Sequence, residues 1–172
     1  LRGALANSYN LPAVKALNAV GVCDFIGRAN GVGISSLQDP GCNSIGKPSD
    51  YWLALTLGGG EVTPLEMVGF YATLANSGIR QAPVSIARIE DMAGNLIYKY
   101  DPQPQQVVRA EHAYLINDIL SDNAARIPAF GADNRLQFTE RRVAAKTGTS
   151  GTDATDVRDA WTIGHTPQIA VA

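Results

Sequence analysis

Three strand-like runs close the chain: Arg142-Val143-Ala144-Ala145, Trp161-Thr162-Ile163-Gly164, and a third that begins at Gln168, after Pro167, and continues to Ala172. The first two flank a polar segment, Ser150 to Arg158, rich in Gly, Thr and Asp, so the three read as antiparallel strands of one sheet. Most periodic segments upstream are helical. Helices followed by strands, without alternation, indicate an α+β fold with helices packed on an antiparallel sheet rather than a doubly wound one.

The upstream elements carry their own boundary signals. A first helix runs from Leu1 into Asn7-Ser8-Tyr9-Asn10, and a second starts around Pro12 and ends at Gly21. A third, Asp24 to Ala29, leads into Gly31 and Gly33, and Asp39 to Asp50 reads as a loop. Thr63-Pro64-Leu65-Glu66 is a capping box with proline at the first helical position. Leu65, Val68, Ala72 and Ala75 then recur at helical spacing, and Gly78 marks the stop. A hairpin is expected from Val84 to Tyr100, turning at residues 91–95. Another amphipathic helix spans Glu111 to Ser121, with Tyr114, Leu115, Ile119 and Leu120 apolar.

Chemistry concentrates on the strand that follows Val143. Lys146-Thr147-Gly148 sets an ammonium, a hydroxyl and an unobstructed backbone edge side by side, and Thr149 adds a second hydroxyl. That combination suits capture of a peptide carboxylate next to a reactive serine, with a substrate backbone lying against Gly148. A phosphate-binding loop needs glycine directly before Lys-Ser/Thr; Ala145 stands there instead, so no phosphate cradle is spelled. At the other end of the chain, Ser8 and Asn10 sit between two helices. Residue types alone leave them open between a helix-capping pair and a polar pair acting on a ligand.

Bulk properties narrow the classes. The 172 residues suggest one domain, 45% apolar and 17% charged with a net charge of −2, which gives no support for a nucleic-acid partner. No apolar run approaches a membrane span, and no signal-peptide pattern opens the chain. Cys23, Cys42, His112 and His165 lack metal-ligand spacing, and no metal or cofactor is expected. Cys23 and Cys42 leave two readings open, a disulfide formed in an oxidising compartment or, favoured by residue context, one semi-buried thiol and one loop thiol.

Four segments in order resemble the transpeptidase domain of class A high-molecular-weight penicillin-binding proteins. They are 4–15 around Ser8-Tyr9-Asn10, 57–67 continuing through Tyr71 to Asn76, 144–150 around Lys146-Thr147-Gly148, and Asp159-Ala160-Trp161. The resemblance implies a penicillin-binding-protein/serine β-lactamase-like fold and a serine D,D-transpeptidase that crosslinks peptidoglycan stem peptides ending in D-Ala-D-Ala. It also implies acylation by β-lactams. Ser8, Asn10 and Lys146 then take catalytic positions; Thr147, Gly148 and Thr149 take substrate-binding ones, with the Thr149 N–H an oxyanion donor. A β-lactamase or D,D-carboxypeptidase shares the triplet, and a non-catalytic penicillin-recognition sensor would keep the groove without the chemistry.

Two literal motif matches are rejected. Ser44-Ile45-Gly46-Lys47 fits the family's nucleophile motif S-x-x-K, but Gly46 and Pro48 interrupt the helix that would bring amine to hydroxyl, and in the family that motif precedes S-x-N. Ser121-Asp122-Asn123 fits S-D-N but reads as capping at a helix end. Residues 1–172 are therefore expected to form a single partial transpeptidase domain. The nucleophile, membrane anchor and glycosyltransferase domain would precede it, a last strand and helix would follow, and it would lie on the extracytoplasmic face of the bacterial membrane.

Overall fold

The computed structural model describes residues 1–43, 51–151 and 156–172. Helices α1 (Arg2–Ala6), α2 (Asn10–Val20) and α3 (Val22–Gly31) follow one another almost without linkers, then short 3₁₀ turns at Pro40–Asn43 and Trp52–Leu57 lead to α4 (Pro64–Ala75). Two small strand pairs come next, β1 (Ile79–Arg80) with β4 (Gln105–Gln106) and the hairpin β2 (Arg88–Glu90) with β3 (Leu96–Lys99). Helices α5 (Ala110–Leu120) and α6 (Asn123–Phe130) precede the main sheet, β5 (Ala144–Gly151), β6 (Val157–Thr166) and β7 (Ile169–Val171). The sheet is antiparallel in the order β5-β6-β7, which leaves β5 at an edge.

Helix α4 joins the two halves. Thr63 accepts from the Glu66 N–H while Glu66 accepts from Thr63, closing the capping box, and the same carboxylate accepts from the backbone and hydroxyls of Ser35 and Ser36. These donors hold the Glu66 carboxyl far below the usual carboxylate range. Met67 and Phe70 pack on both core clusters: a helical one around Leu17, Ile26, Leu37 and Leu55, and a helix-on-sheet one around Tyr71, Leu120, Ala144 and Ile163. The buried face of α4 therefore carries Tyr71, Thr73 and Leu74, whereas Leu65 and Ala72 of the expected stripe are exposed. The helix is apolar almost all the way round, so spacing alone does not single out its inner side. On α5, Ala113 and Leu120 are buried while Tyr114 and Leu115 are exposed, again a rotation of the expected stripe.

A buried polar contact ties α5 to the sheet. His165 on β6 donates from Nε2 to Asn117 Oδ1 at 2.9 Å, the acceptor being fixed because the Asn117 amide donates to the Leu74 carbonyl. Its Nδ1 is buried without a partner among the described residues, and burial pushes the imidazole below its ordinary pKa. The folded state thus binds fewer protons than the unfolded chain just below pH ~6.5, so stability falls as pH drops through that window. Melting temperature measured from pH 8 to 5 should decline for the wild type and stay flatter for His165→Gln; parallel profiles would refute the assignment.

Cys23 and Cys42, favoured as separate thiols, form a disulfide with Cα atoms 5.2 Å apart. The 3₁₀ turn at Pro40–Asn43 folds back over α3, and a separation of 19 residues carries no pairing signal in sequence. Closing such a loop contributes about 3 kcal/mol. Reduction should lower the melting temperature by on the order of 10 °C in a domain of this size. An unchanged melting temperature after complete reduction would contradict this.

Candidate active site

Helix α1 ends in an unusual way. The Tyr9 N–H bonds back to the Ala4 carbonyl and the Ser8 N–H to the Leu5 carbonyl, a Schellman closure that requires a left-handed residue at Ser8. Glycine normally fills that position, yet serine stands there with φ 58°. A non-glycine residue in this region carries strain on the order of 1 kcal/mol. The turn aims the hydroxyl across to the sheet. Lys146 Nζ donates to Ser8 Oγ at 2.7 Å and to the Thr147 carbonyl at 2.6 Å, joining positions 138 residues apart.

Strand β5 presents Lys146, Thr147, Gly148 and Thr149 along its pairing with Ile163, Thr162, Trp161 and Ala160 of β6. Its other edge borders a groove of about 1250 Å³ lined by Ser8, Asn10 and all four of these residues, with Thr56–Gly58, Leu115 and Trp161 also on its walls. Opposite the strand, Gly58 has φ 93° and approaches so closely that an added Cβ would lie 2.8 Å from the Ser150 Cβ. Ser150 in turn donates to Asp159 Oδ2 at 2.7 Å, clasping β5 to β6 beyond the triplet.

The electrostatics favour a reactive amine. Lys146 is half-buried, and desolvation first, then the neighbouring Arg126 cation, push its pKa below the ordinary lysine value. Arg126 on α6 is 2% exposed; its Nη2 donates to the Leu120 carbonyl, while Nε and Nη1 are buried without partners among the described residues. Because Ser8 Oγ accepts from the ammonium, its own hydrogen is free to point into the groove.

All six expected residues thus line one groove. Asn10 is the first residue of α2, which starts two residues before Pro12, and its exposed amide has no hydrogen-bond partner among the described residues. Neither Ser8 nor Asn10 caps α2: Tyr9 holds that position and no side chain bonds there. Asp122 is the N-cap of α6, accepting from Ala125 N–H at 3.0 Å, and Ser121 ends α5, so Ser121-Asp122-Asn123 is a helix junction away from the groove. Ser44 to Lys47 lies outside the described residues. Asp159 and Asn7 were not singled out from sequence. Asp159 could have been, as an acid in the Asp-Ala-Trp segment facing the triplet's strand; nothing in the spacing pairs Asn7 with its distant partners.

The sequence model of the penicillin binding protein transpeptidase domain matches residues 1–172. Penicillin-binding protein 1A of Aquifex aeolicus is 33% identical over 169 residues, which are 98% of this chain and 20% of that protein. Penicillin-binding protein 4 of Bacillus subtilis is 29% identical over 95% of the chain and 24% of its own length. The chain therefore spans less than a quarter of these relatives. Among solved structures, PonA1 of Mycobacterium tuberculosis superposes with a TM-score of 0.78 at 24% identity, covering 97% of this chain and 45% of PonA1. Penicillin-binding protein A of the same organism, solved as an imipenem acyl-enzyme complex, gives 0.71 at 21% identity, over 97% of this chain and 38% of that one. The α+β architecture is that of these transpeptidase domains.

Proposed function

The chain belongs to the penicillin-binding protein transpeptidase family, and from that premise we propose that it forms part of a serine D,D-transpeptidase crosslinking peptidoglycan stem peptides. The observation that carries this reading is the 2.7 Å contact between Lys146 Nζ and Ser8 Oγ at the open edge of β5. In acyl transfer a serine oxygen bonds to the carbonyl of the penultimate D-Ala, the C–N bond breaks, and the terminal D-Ala leaves as an amine that takes up a proton. Ser8 is placed to deliver that proton while drawing on the Lys146 ammonium. A lowered lysine pKa suits this, since both partners exchange protons more readily near neutrality.

The substrate backbone lies along the free edge of β5, where Gly148 presents no side chain, so a peptide can add as a strand. Thr147 and Thr149 offer hydroxyls to the terminal carboxylate, Lys146 attracts it, and the Thr149 N–H serves as an oxyanion donor. Asn10, whose amide is unengaged, receives the penultimate amide through its donor and acceptor together.

The acylated serine belongs to an S-x-x-K helix elsewhere in the full-length protein, which also carries a glycosyltransferase domain and a membrane anchor. β-Lactams acylate the same serine, in keeping with the acyl-enzyme that penicillin-binding protein A of Mycobacterium tuberculosis forms with imipenem. The domain works on the extracytoplasmic face of the membrane. The Cys23–Cys42 disulfide supports that location, because such bonds persist in oxidising compartments. No helix among the described residues is long and apolar enough to cross a membrane.

Incubation with a fluorescent penicillin followed by a denaturing gel tests the reading. The full-length protein should label stoichiometrically and the 172-residue chain should not. A stoichiometric band in the short chain, abolished by Ser44→Ala, would contradict it.

A further inference from the structure

Beside the strained serine sits a side chain that sequence reasoning passed over. Asn7 is 5% exposed, and its carboxamide is fully engaged. Nδ2 donates to the Gly3 carbonyl at 2.8 Å and to the Ala125 carbonyl at 2.7 Å, while Oδ1 accepts from the Ala129 N–H at 2.8 Å. Ala125 C=O and Ala129 N–H are the pair that a regular α-helix joins directly, one turn apart. The amide therefore bridges one rung of the α6 ladder. It does so where Pro128 lies within the helix, and a proline ring opens the ladder by removing a donor and crowding the preceding turn.

The consequence falls on Ser8. Its backbone is held by the α1 closure in a conformation serine disfavours, and such conformations persist only where the surroundings over-determine them. Asn7 supplies that constraint from the adjacent position, anchoring the end of α1 to α6. The Arg2–Asp122 ion pair at 2.8 Å fastens the other end of α1 to the same helix.

We propose that Asn7 is a positioning residue for the proton relay: by bridging α6 at its proline break, its carboxamide holds Ser8 Oγ against Lys146 Nζ. This rests on the reading of Ser8 and Lys146 given above. A reacting group displaced by about 1 Å loses up to ~10²-fold in rate.

The test is the second-order rate of penicillin acylation in the full-length protein, measured well below the melting temperature on variants whose circular dichroism is native. Asn7→Ala should acylate roughly 10- to 100-fold more slowly. Asn7→Asp supplies a signature that a purely structural role lacks. Its carboxylate accepts from Ala129 N–H but donates nothing to Ala125; on protonation it regains a donor. The ratio of its rate to that of the wild type should therefore rise as pH is lowered. A flat ratio, or an Asn7→Ala rate within twofold of wild type beside a crippled Ser8→Ala, would overturn the positioning role alone. A Ser8→Ala protein acylating normally would overturn the relay and this inference with it. If Asn7→Ala does not fold, the pH dependence of the Asn7→Asp ratio decides.

Discussion

Lys146→Ala in the full-length protein is expected to lower penicillin acylation and transpeptidation by on the order of 10²- to 10³-fold, the loss that follows removal of one preorganised electrostatic donor. Its stability should change by only about 1 kcal/mol. The side chain is half-buried rather than freely exposed, and its amine is held below its ordinary pKa by desolvation, so the fold gains little from keeping it charged there. Thr147→Val should be milder on both counts, since it removes a hydroxyl while preserving shape and strand propensity. Acylation rates set beside melting temperatures separate the two effects. A Lys146→Ala protein that acylates normally, or merely unfolds, would reduce the triplet to a structural element and put a non-catalytic penicillin-recognition role ahead.

Ser8→Gly should move stability and activity in opposite directions. Glycine accepts φ 58° without a Cβ penalty, so the variant should be unchanged or more stable by up to about 1 kcal/mol. Losing the hydroxyl removes the atom that Lys146 contacts at 2.7 Å, and a positioned proton-transfer group is worth about 10²- to 10⁴-fold. Melting temperature and acylation rate on the same preparation decide the matter. A Ser8→Gly protein that loses stability as well as rate would mean that the hydroxyl holds the loop in place.

What could be read from residues alone followed the strength of local signals. The capping box at Thr63 and Glu66 appears as expected because two neighbouring positions suffice to specify it. The β5-β6-β7 sheet appears because its strand-like runs are separated by recognisable turn residues. Helix α6 was missed, since Pro128 interrupts the pattern and the rung at that break is bridged by Asn7, more than a hundred residues away. Strands β1 and β4, two residues each, are too short to show alternation. The left-handed Ser8 escaped because the usual marker of such a turn is glycine. The candidate site was legible as a set of residue types, which the structure brings to one groove. Its geometry depends on how α1, α6 and β5 meet, which no local pattern encodes.

The central claim is that Ser8 and Lys146 act as one unit in acyl transfer, and a double-mutant cycle tests it most directly. Acylation rates of the full-length wild type, Ser8→Ala, Lys146→Ala and the double variant would be compared at one pH and salt concentration. Groups that act as a unit are strongly non-additive, so the double variant should be no slower than about threefold below the worse single one. Single effects that multiply in full would show two independent contributions and contradict a shared relay across the 2.7 Å contact.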